Sequence, residues 1–311
     1  MTPVELAEGV RSNVARALVG MDSPVELLLV ALLSEGHVLM EDVPGVGKTS
    51  LARALASSLD TPFSRIQFTP DLLPSDITGS YYFQQRASEW VFRSGPIFAG
   101  VLLADEINRA APRTQSALLE AMQERQVTIE GETRVLPRPF IVMATQNPVE
   151  LEGTFPLPEA QLDRFALQVS IGYPSEEHEL EILLAHGAAG EPDLDAVATT
   201  AEVLEAVAVA RSVTVERDVA GYVAALVRST RNHTAVELGA SPRAGLSLYR
   251  SAQSLAALRG REYVLPDDVK ELAVPALAHR LVLDQEARLR GRRAPEVLAE
   301  LLGRLEVPVE V

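Results

Sequence analysis

Cysteine is absent from the 311 residues, so disulfides and thiolate metal sites are excluded. No stretch approaches the roughly 18 consecutive apolar residues that a membrane helix needs. The opening run MTPVELAEGVRSNVARAL carries acids early and has no apolar centre. Neither a secretory signal nor a membrane span is therefore expected, and a cytoplasmic protein is. Lysine occurs only at positions 48 and 270, no basic stripe precedes Arg288, and the net charge is −15. A duplex binder neutralises phosphates with clustered Lys and Arg, so nucleic acid is disfavoured as a main partner. The five histidines, at 37, 178, 186, 233 and 279, show no HExxH spacing, which argues against zinc. Internal repeats and low-complexity tracts are missing too. Present instead is a hydrophobic content of 47%, enough for a real core in one large or two smaller domains.

The chain is organised around HVLMEDVPGVGKTS, His37 to Ser50. A short apolar run, Val38 to Met40, reads as a buried strand. A loop with Pro44, Gly45 and Gly47 follows, then Lys48, Thr49 and a helical run from Leu51 to Leu59. Strand, glycine loop, Lys-Thr and helix form the context of a phosphate-binding loop. Glycines let backbone N–H groups converge on a phosphate, and the helix aims its positive end at the same point. Lys48 suits the β- and γ-phosphates, and the Thr49 hydroxyl suits Mg²⁺. Asp42 stands where the standard pattern has glycine, five residues before Gly47, so its carboxylate must point away from any phosphate. Alone, the stretch supports phosphate binding; an ordinary Gly-Pro turn is the competing reading.

Taken in order, apolar spacing predicts helices over 5–19 and 25–33, the second begun at Asp22 or Ser23. SRIQFT reads as a strand, DLLPSDITGS as turns, and Tyr81 to Arg93 as a β-hairpin. Val101 to Ala104 is an apolar strand ending on Asp105 and Glu106. Ligands gather at the carboxyl ends of buried parallel strands. Asp105 there suits Mg²⁺, and Glu106 suits orienting and activating an attacking water. A helix over Pro112 to Gln126 and a second hairpin around Glu130-Gly131 follow. Phe140 to Ala144 is another buried strand, running into Thr145-Gln146-Asn147-Pro148. Asn147 is the candidate there for the γ-phosphate or the water, against an Asn-Pro turn residue. Pro158 to Phe165 forms a short helix carrying Arg164, and Gly172-Tyr173-Pro174 reads as a hinge. Beyond Pro174 helical periodicity takes over, with Thr200 as the cap of a helix to Arg211 and a final helix over Pro266 to Ala278, bent or broken near Pro275. One helix has Ser241 as cap, Pro242 in its first turn and Gly260 past its end. Arg243 lies at that helix's positive end, which calls for a compensating anion: a nucleotide phosphate or a nearby Glu. Arg288, Arg290, Arg292 and Arg293 read as a solvated face.

With these motifs in this order the chain resembles an AAA+ ATPase, and more narrowly the MoxR family. The stretches that carry the likeness are EDVPGVGKTSLARALA, FTPDLLPSDITGS, GPIFAGVLLADEINRAAPRTQSALLEAMQERQVTIEG, MATQNPVELEGTFPLPEAQLDRF and GASPRA. The resemblance implies an α/β fold: a P-loop core with a parallel sheet flanked by helices (1–173) and a C-terminal all-α lid (174–311). It implies ATP and Mg²⁺ as cofactors. Pro44, Gly45, Val46, Gly47, Lys48, Thr49 and Ser50 then form the nucleotide loop, with Thr49 and Asp105 on the metal. Glu106 matches the catalytic acid of Walker B, and Asn147 matches sensor 1. Arg164 matches the arginine finger that acts on a neighbour's nucleotide. Arg243 matches sensor 2, in a lid that would close over the cradle. The two hairpins match the inserts that group MoxR proteins with magnesium-chelatase ATPase subunits and MCM-type helicases. The family further implies a homo-oligomeric ring, usually a hexamer, acting on a protein client, often one with a von Willebrand A domain. Chelatase ATPase subunit, DNA helicase or loader, and nucleotide-gated scaffold with little turnover remain the alternatives.

Overall fold

The structure, a computed structural model, describes residues 1–42, 45–146, 153–186 and 193–308. Helices α1 (Pro3–Ala15) and α2 (Asp22–Leu33) lead into strand β1 (Val38–Glu41). Next come α3 (Lys48–Ser58), β2 (Phe63–Gln67), α4 (Pro74–Thr78) and the hairpin β3 (Gly79–Gln84) and β4 (Glu89–Ser94). Then follow β5 (Val101–Asp105), α5 (Pro112–Glu124), the hairpin β6 (Gln126–Ile129) and β7 (Glu132–Val135), β8 (Ile141–Gln146), α6 (Glu159–Leu162) and β9 (Leu167–Val169). The C-terminal part holds α7 (Glu176–His186), α8 (Thr200–Ser212), α9 (Arg217–Arg231), β10 (Val236–Leu238) and α10 (Pro242–Leu258). It ends with α11 (Pro266–Leu277), β11 (Val282–Leu283), α12 (Gln285–Leu289) and α13 (Ala294–Arg304).

Five strands form one parallel sheet in the order β2-β5-β8-β1-β9. In β1, β5 and β8 successive side chains alternate between its faces and are buried on both, so these strands read as nearly continuous apolar runs, whereas β2 at the edge keeps a polar face. Val38, Met40, Leu103 and Met143 enter the core on one face, and Leu39, Leu102 and Val142 the core on the other. The second core is closed by α5 and by Ile77 of α4. The first extends from α1, α2 and α3 without a break into α8, α9, α10, α11 and α13. That continuity bears on the expected hinge at 172–174. Free rotation there would expose apolar surface shared by both parts, a cost that opposes any wide swing of the C-terminal helices away from the sheet.

Several elements differ from the sequence expectation for local reasons. The run read as turns contains α4, with Pro74 in its first turn and the Asp76 carboxylate accepting the Leu73 N–H at 2.8 Å. The cap of α8 is Thr199, in a reciprocal pair with Glu202, one residue before the expected Thr200. Helix α11 continues through Pro275 rather than breaking there. The C-terminal part is helical apart from the short antiparallel ladder of β10 with β11. The arginines near its end form the expected solvated face, with Arg290 on Glu286 at 2.6 Å and Arg293 on Glu296 at 3.0 Å.

His37, just before β1, joins the two layers. Its Nδ1 accepts the Val142 N–H at 3.0 Å, which leaves Nε2 to donate to the Met122 carbonyl at 3.0 Å. The neutral ring stacks edge-on against Phe140 at 5.4 Å. Burial pushes its pKa down to about 4 from 6.5. The unfolded chain therefore binds a proton that the folded chain refuses between these values. His37's contribution is complete above pH 6.5 and is lost as pH falls towards 4. Replacing His37 with Gln should flatten this slope. In urea unfolding at pH 7 and pH 4, wild type should lose about 3 kcal/mol more than the variant between the two.

Candidate active site

Strand polarity places the loops after β1, β5 and β8 together at one end of the sheet. Gly45 and Gly47 have φ of +86° and +90°, a region that side chains strain to enter. Gly47 caps α3, so the first-turn N–H groups of Lys48, Thr49 and Ser50 have no helical acceptor. Val46 lies between the two glycines, and Pro44 lies outside the described residues. The Lys48 ammonium donates to the Asp42 carbonyl at 3.1 Å. Asp42 itself is 5% exposed and points away from the loop. Its carboxylate accepts from Ser170 Oγ at 2.8 Å, Ile171 N–H at 2.7 Å and Gly172 N–H at 3.0 Å. It ties the exit of β1 to the exit of β9, and glycine at this position would leave three donors unsatisfied.

Asp105 and Glu106 stand at the carboxyl end of β5, with β8 between it and β1, at the same end of the sheet as this loop. Thr145 Oγ1 donates to Asp105 Oδ1 at 2.6 Å and accepts the Glu106 N–H at 2.8 Å. Arg65 of β2 grips Asp105 Oδ2 at 2.6 Å. Lone pairs remain on the carboxylate for the water shell of a cation. Glu106 sits at φ +57°, ψ +50°, a left-handed conformation costing about 1–2 kcal/mol for a residue with a side chain. The turn redirects its carboxylate, which Gln67 Nε2 and Arg109 hold, the latter at 3.2 Å. Asn147 lies outside the described residues. Gln67, Arg65 and Thr145 do not stand out in the sequence. The alternation of SRIQFT, which puts residues 65 and 67 on one face, is the signal that could have found the first two. A pocket of about 230 Å³, lined by Leu18, Met21 and Val25 together with the charged Arg11, Asp22 and Glu181, opens near Gly47, where an added methyl group would lie 3.5 Å from Met21.

Arg164 and Arg243 lie elsewhere. They line a pocket of about 360 Å³ together with His37, Arg250 and Arg280. His37 precedes β1 and Ala166 precedes β9, so this pocket sits at the amino ends of the strands. The four residues of β1 put about 13 Å of sheet between it and the phosphate loop. Arg243 therefore does not lie over its own chain's cradle, as a closing lid would require; it lies beside Arg164. Among the described residues no carboxylate pairs with Arg164, Arg243 or Arg250. Glu35 on the pocket wall is taken by Arg125, Arg138 and Arg211. Burial pushes its pKa up, but these arginines hold it below the usual carboxylate range.

Comparison with known proteins agrees with this architecture. Residues 37–167 match the family model described as ATPase family associated with various cellular activities (AAA), and residues 228–301 match the AAA lid domain. Chaperone MoxR1 of Mycobacterium tuberculosis is 47% identical over 92% of this chain and 78% of its own length. The chain belongs to the MoxR family of AAA+ ATPases. Protein MoxR of Methylorubrum extorquens is 30% identical over 95% of this chain and 93% of its own. A crystal structure of a Cytophaga hutchinsonii protein, provisionally named an ATPase, superposes with a TM-score of 0.93 at 38% identity, covering 99% of this chain and 96% of that one. The MoxR assignment makes the C-terminal helices an AAA lid, here packed behind the sheet. No helix among the described residues is long and apolar enough to cross a membrane.

Asp42→Gly restores the standard loop residue but removes a buried charged acceptor of three hydrogen bonds. It should lower unfolding free energy by about 3 kcal/mol in chemical denaturation. Unchanged stability would remove Asp42 from this anchoring role.

Proposed function

We propose that this protein hydrolyses ATP to ADP and phosphate in a ring of copies, a hexamer in the family's usual form. Changes in that ring would remodel a protein client in the cytoplasm. The separation of Arg164 and Arg243 from their own phosphate loop carries the reading. Two phosphate-seeking guanidiniums at the far end of the sheet, with no carboxylate partner among the described residues, suit a nucleotide held by another copy.

The residues present fit ATP and Mg²⁺. Loop N–H groups of Gly45 to Ser50 and the end of α3 favour phosphate oxygens. Leu18, Met21 and Val25, in the mixed pocket near Gly47, would offer apolar contacts to the base. Thr49 and Asp105 would hold Mg²⁺, which supplies charge neutralisation on the phosphates. Glu106 takes a proton from the attacking water, whose oxygen bonds to the γ-phosphorus as the bond to the ADP oxygen breaks. Asn147 orients that water or the γ-phosphate. Arg164 and Arg243 of the neighbour offset the charge that develops. This division of labour assigns residues 1–173 to the nucleotide core and 174–311 to the lid.

The outward face of α7 supports assembly. Leu180, Leu183 and Leu184 are 58%, 69% and 69% exposed at spacings that place them together. The paired hairpins support a protein client. Arg134 of β7 stacks over Phe92 at 4.0 Å and donates to the Tyr81 hydroxyl at 2.7 Å, fixing the two hairpins as one unit. That unit presents Trp90, 68% exposed and stacked on Phe83. Exposed aromatics on a rigid support favour peptide or protein surfaces over nucleic acid in a chain of charge −15. The MoxR kinship makes a von Willebrand A domain protein the client class to test first.

Glu106→Gln should bind ATP yet lose turnover, and capture from lysate on that variant should retain the client. Arg164→Ala should keep ATP affinity within about twofold while turnover falls about 10³-fold, as for arginine fingers elsewhere. Measured phosphate release at wild-type rate from Arg164→Ala would exclude the scheme. Chelation of Mg²⁺ by EDTA should abolish release in wild type.

A further inference from the structure

The turn that carries Arg164 is gripped by a lid residue set deep in the wall of the same pocket. The Arg280 side chain is 2% exposed. One terminal nitrogen donates to the Phe165 carbonyl at 2.6 Å and to the Asp163 carbonyl at 3.3 Å, the two residues that flank Arg164. The other donates to Ala276 O at 2.9 Å, anchoring the guanidinium to α11. Its Nε lies 3.1 Å from Asp163 Oδ1. His279 Nε2 adds a bond to the same Phe165 carbonyl at 3.1 Å.

Asp163 reaches further. Its second oxygen accepts from Ser241 Oγ at 2.8 Å. Ser241 is the cap of α10, and its hydroxyl also accepts the Ala244 N–H at 3.1 Å. Arg243 sits in the first turn of that helix. One carboxylate thus joins the Arg164 turn, the start of the Arg243 helix and Arg280. Ser247, one turn further along α10, donates to the Ala166 carbonyl at 3.2 Å and pins the helix to the same strand.

The charges in this cluster are unequal. Arg164, Arg243 and Arg280 face one carboxylate, Asp163. Burial pushes the Arg280 pKa down to about 10; Asp163 pulls it up and Arg243 pushes it further down. The guanidinium is still a cation at neutral pH. Holding three cations around one anion costs energy that a bound polyanion would offset.

We propose that Arg280, acting through Asp163 and Ser241, locks Arg164 and Arg243 into one rigid pair, so that each chain presents both guanidiniums together to its neighbour's nucleotide. The proposal rests on the reading that those two arginines serve the neighbouring copy. Arg280 is a positioning residue in it. Its guanidinium spans three backbone carbonyls and lies against one carboxylate, a geometry that lysine cannot reproduce. The lid then contributes to hydrolysis by fixing the arginine pair, not by closing over its own nucleotide.

The test uses full-length Arg280→Gln, with Arg280→Lys and Asp163→Asn as milder changes, each first checked for wild-type circular dichroism. All three should lower ATP turnover, by about 10²-fold for Arg280→Gln, the effect of an ångström-scale misplacement of catalytic groups. KM for ATP should stay within about twofold, because each chain's own cradle is intact. Mixing Arg280→Gln with Lys48→Ala should then restore turnover, since the second variant lends sound arginines to the first variant's sound cradle. Wild-type turnover in all three variants would overturn the lock. So would restoration by Lys48→Ala for Arg164→Ala but not for Arg280→Gln, which would assign Arg280 to folding alone. If Lys48→Ala restores neither, the neighbour reading itself falls, and the lock with it.

Discussion

The polarity of the parallel sheet is the constraint on which everything else depends. All five strands run the same way, so the loops that leave their carboxyl ends converge at one edge and those that enter at the other. The phosphate loop, Asp105, Glu106 and Thr145 follow strands and therefore meet. Arg164 precedes β9 and therefore cannot join them. On the proposed reading, a single chain carries two half-sites that face opposite ways across about 13 Å of sheet. Such an arrangement would be heterologous, with the same two unlike surfaces meeting at every contact to give rings or filaments rather than two-fold dimers.

The lid is tied to the core by packing and by hydrogen bonds. Its helices share one apolar core with α1, α2 and α3. Hydrogen bonds from Ser241, Ser247 and Arg280 fasten it to the segment 163–166. At the other edge the Asp42 carboxylate clasps the backbone of 170–172 while its carbonyl holds Lys48. A displacement of Lys48 towards phosphate would thus act on a residue that is bonded to the stem of the lid. The physical route from cradle to lid is a few hydrogen bonds long.

Sequence reasoning works where chemistry is local. Strand, glycine loop and helix are specified within about a dozen residues, so β1, the loop and α3 are legible, as is the run of Val101 to Asp105. The hairpins are legible because tight turns need particular residues: Glu130 and Gly131 both take positive φ. The role of Asp42 is hidden because its partners are 128 to 130 positions away. Gln67 and Arg65 look like the polar face of an ordinary strand. Only the pairing of β2 with β5 brings them against Glu106 and Asp105.

By itself the sequence determined the fold class and the family and named the candidate reacting groups, because periodicity and short motifs encode local backbone geometry and charge. Tertiary structure alone decided which groups share a site. Arg164 and Arg243 are 79 positions apart in a linear reading, with nothing to say whether they face one nucleotide or two. Their common pocket follows from Asp163 meeting Ser241 and Arg280 in a core that two parts of the chain build jointly. Contacts of that range arise from packing, whose partners no local pattern names.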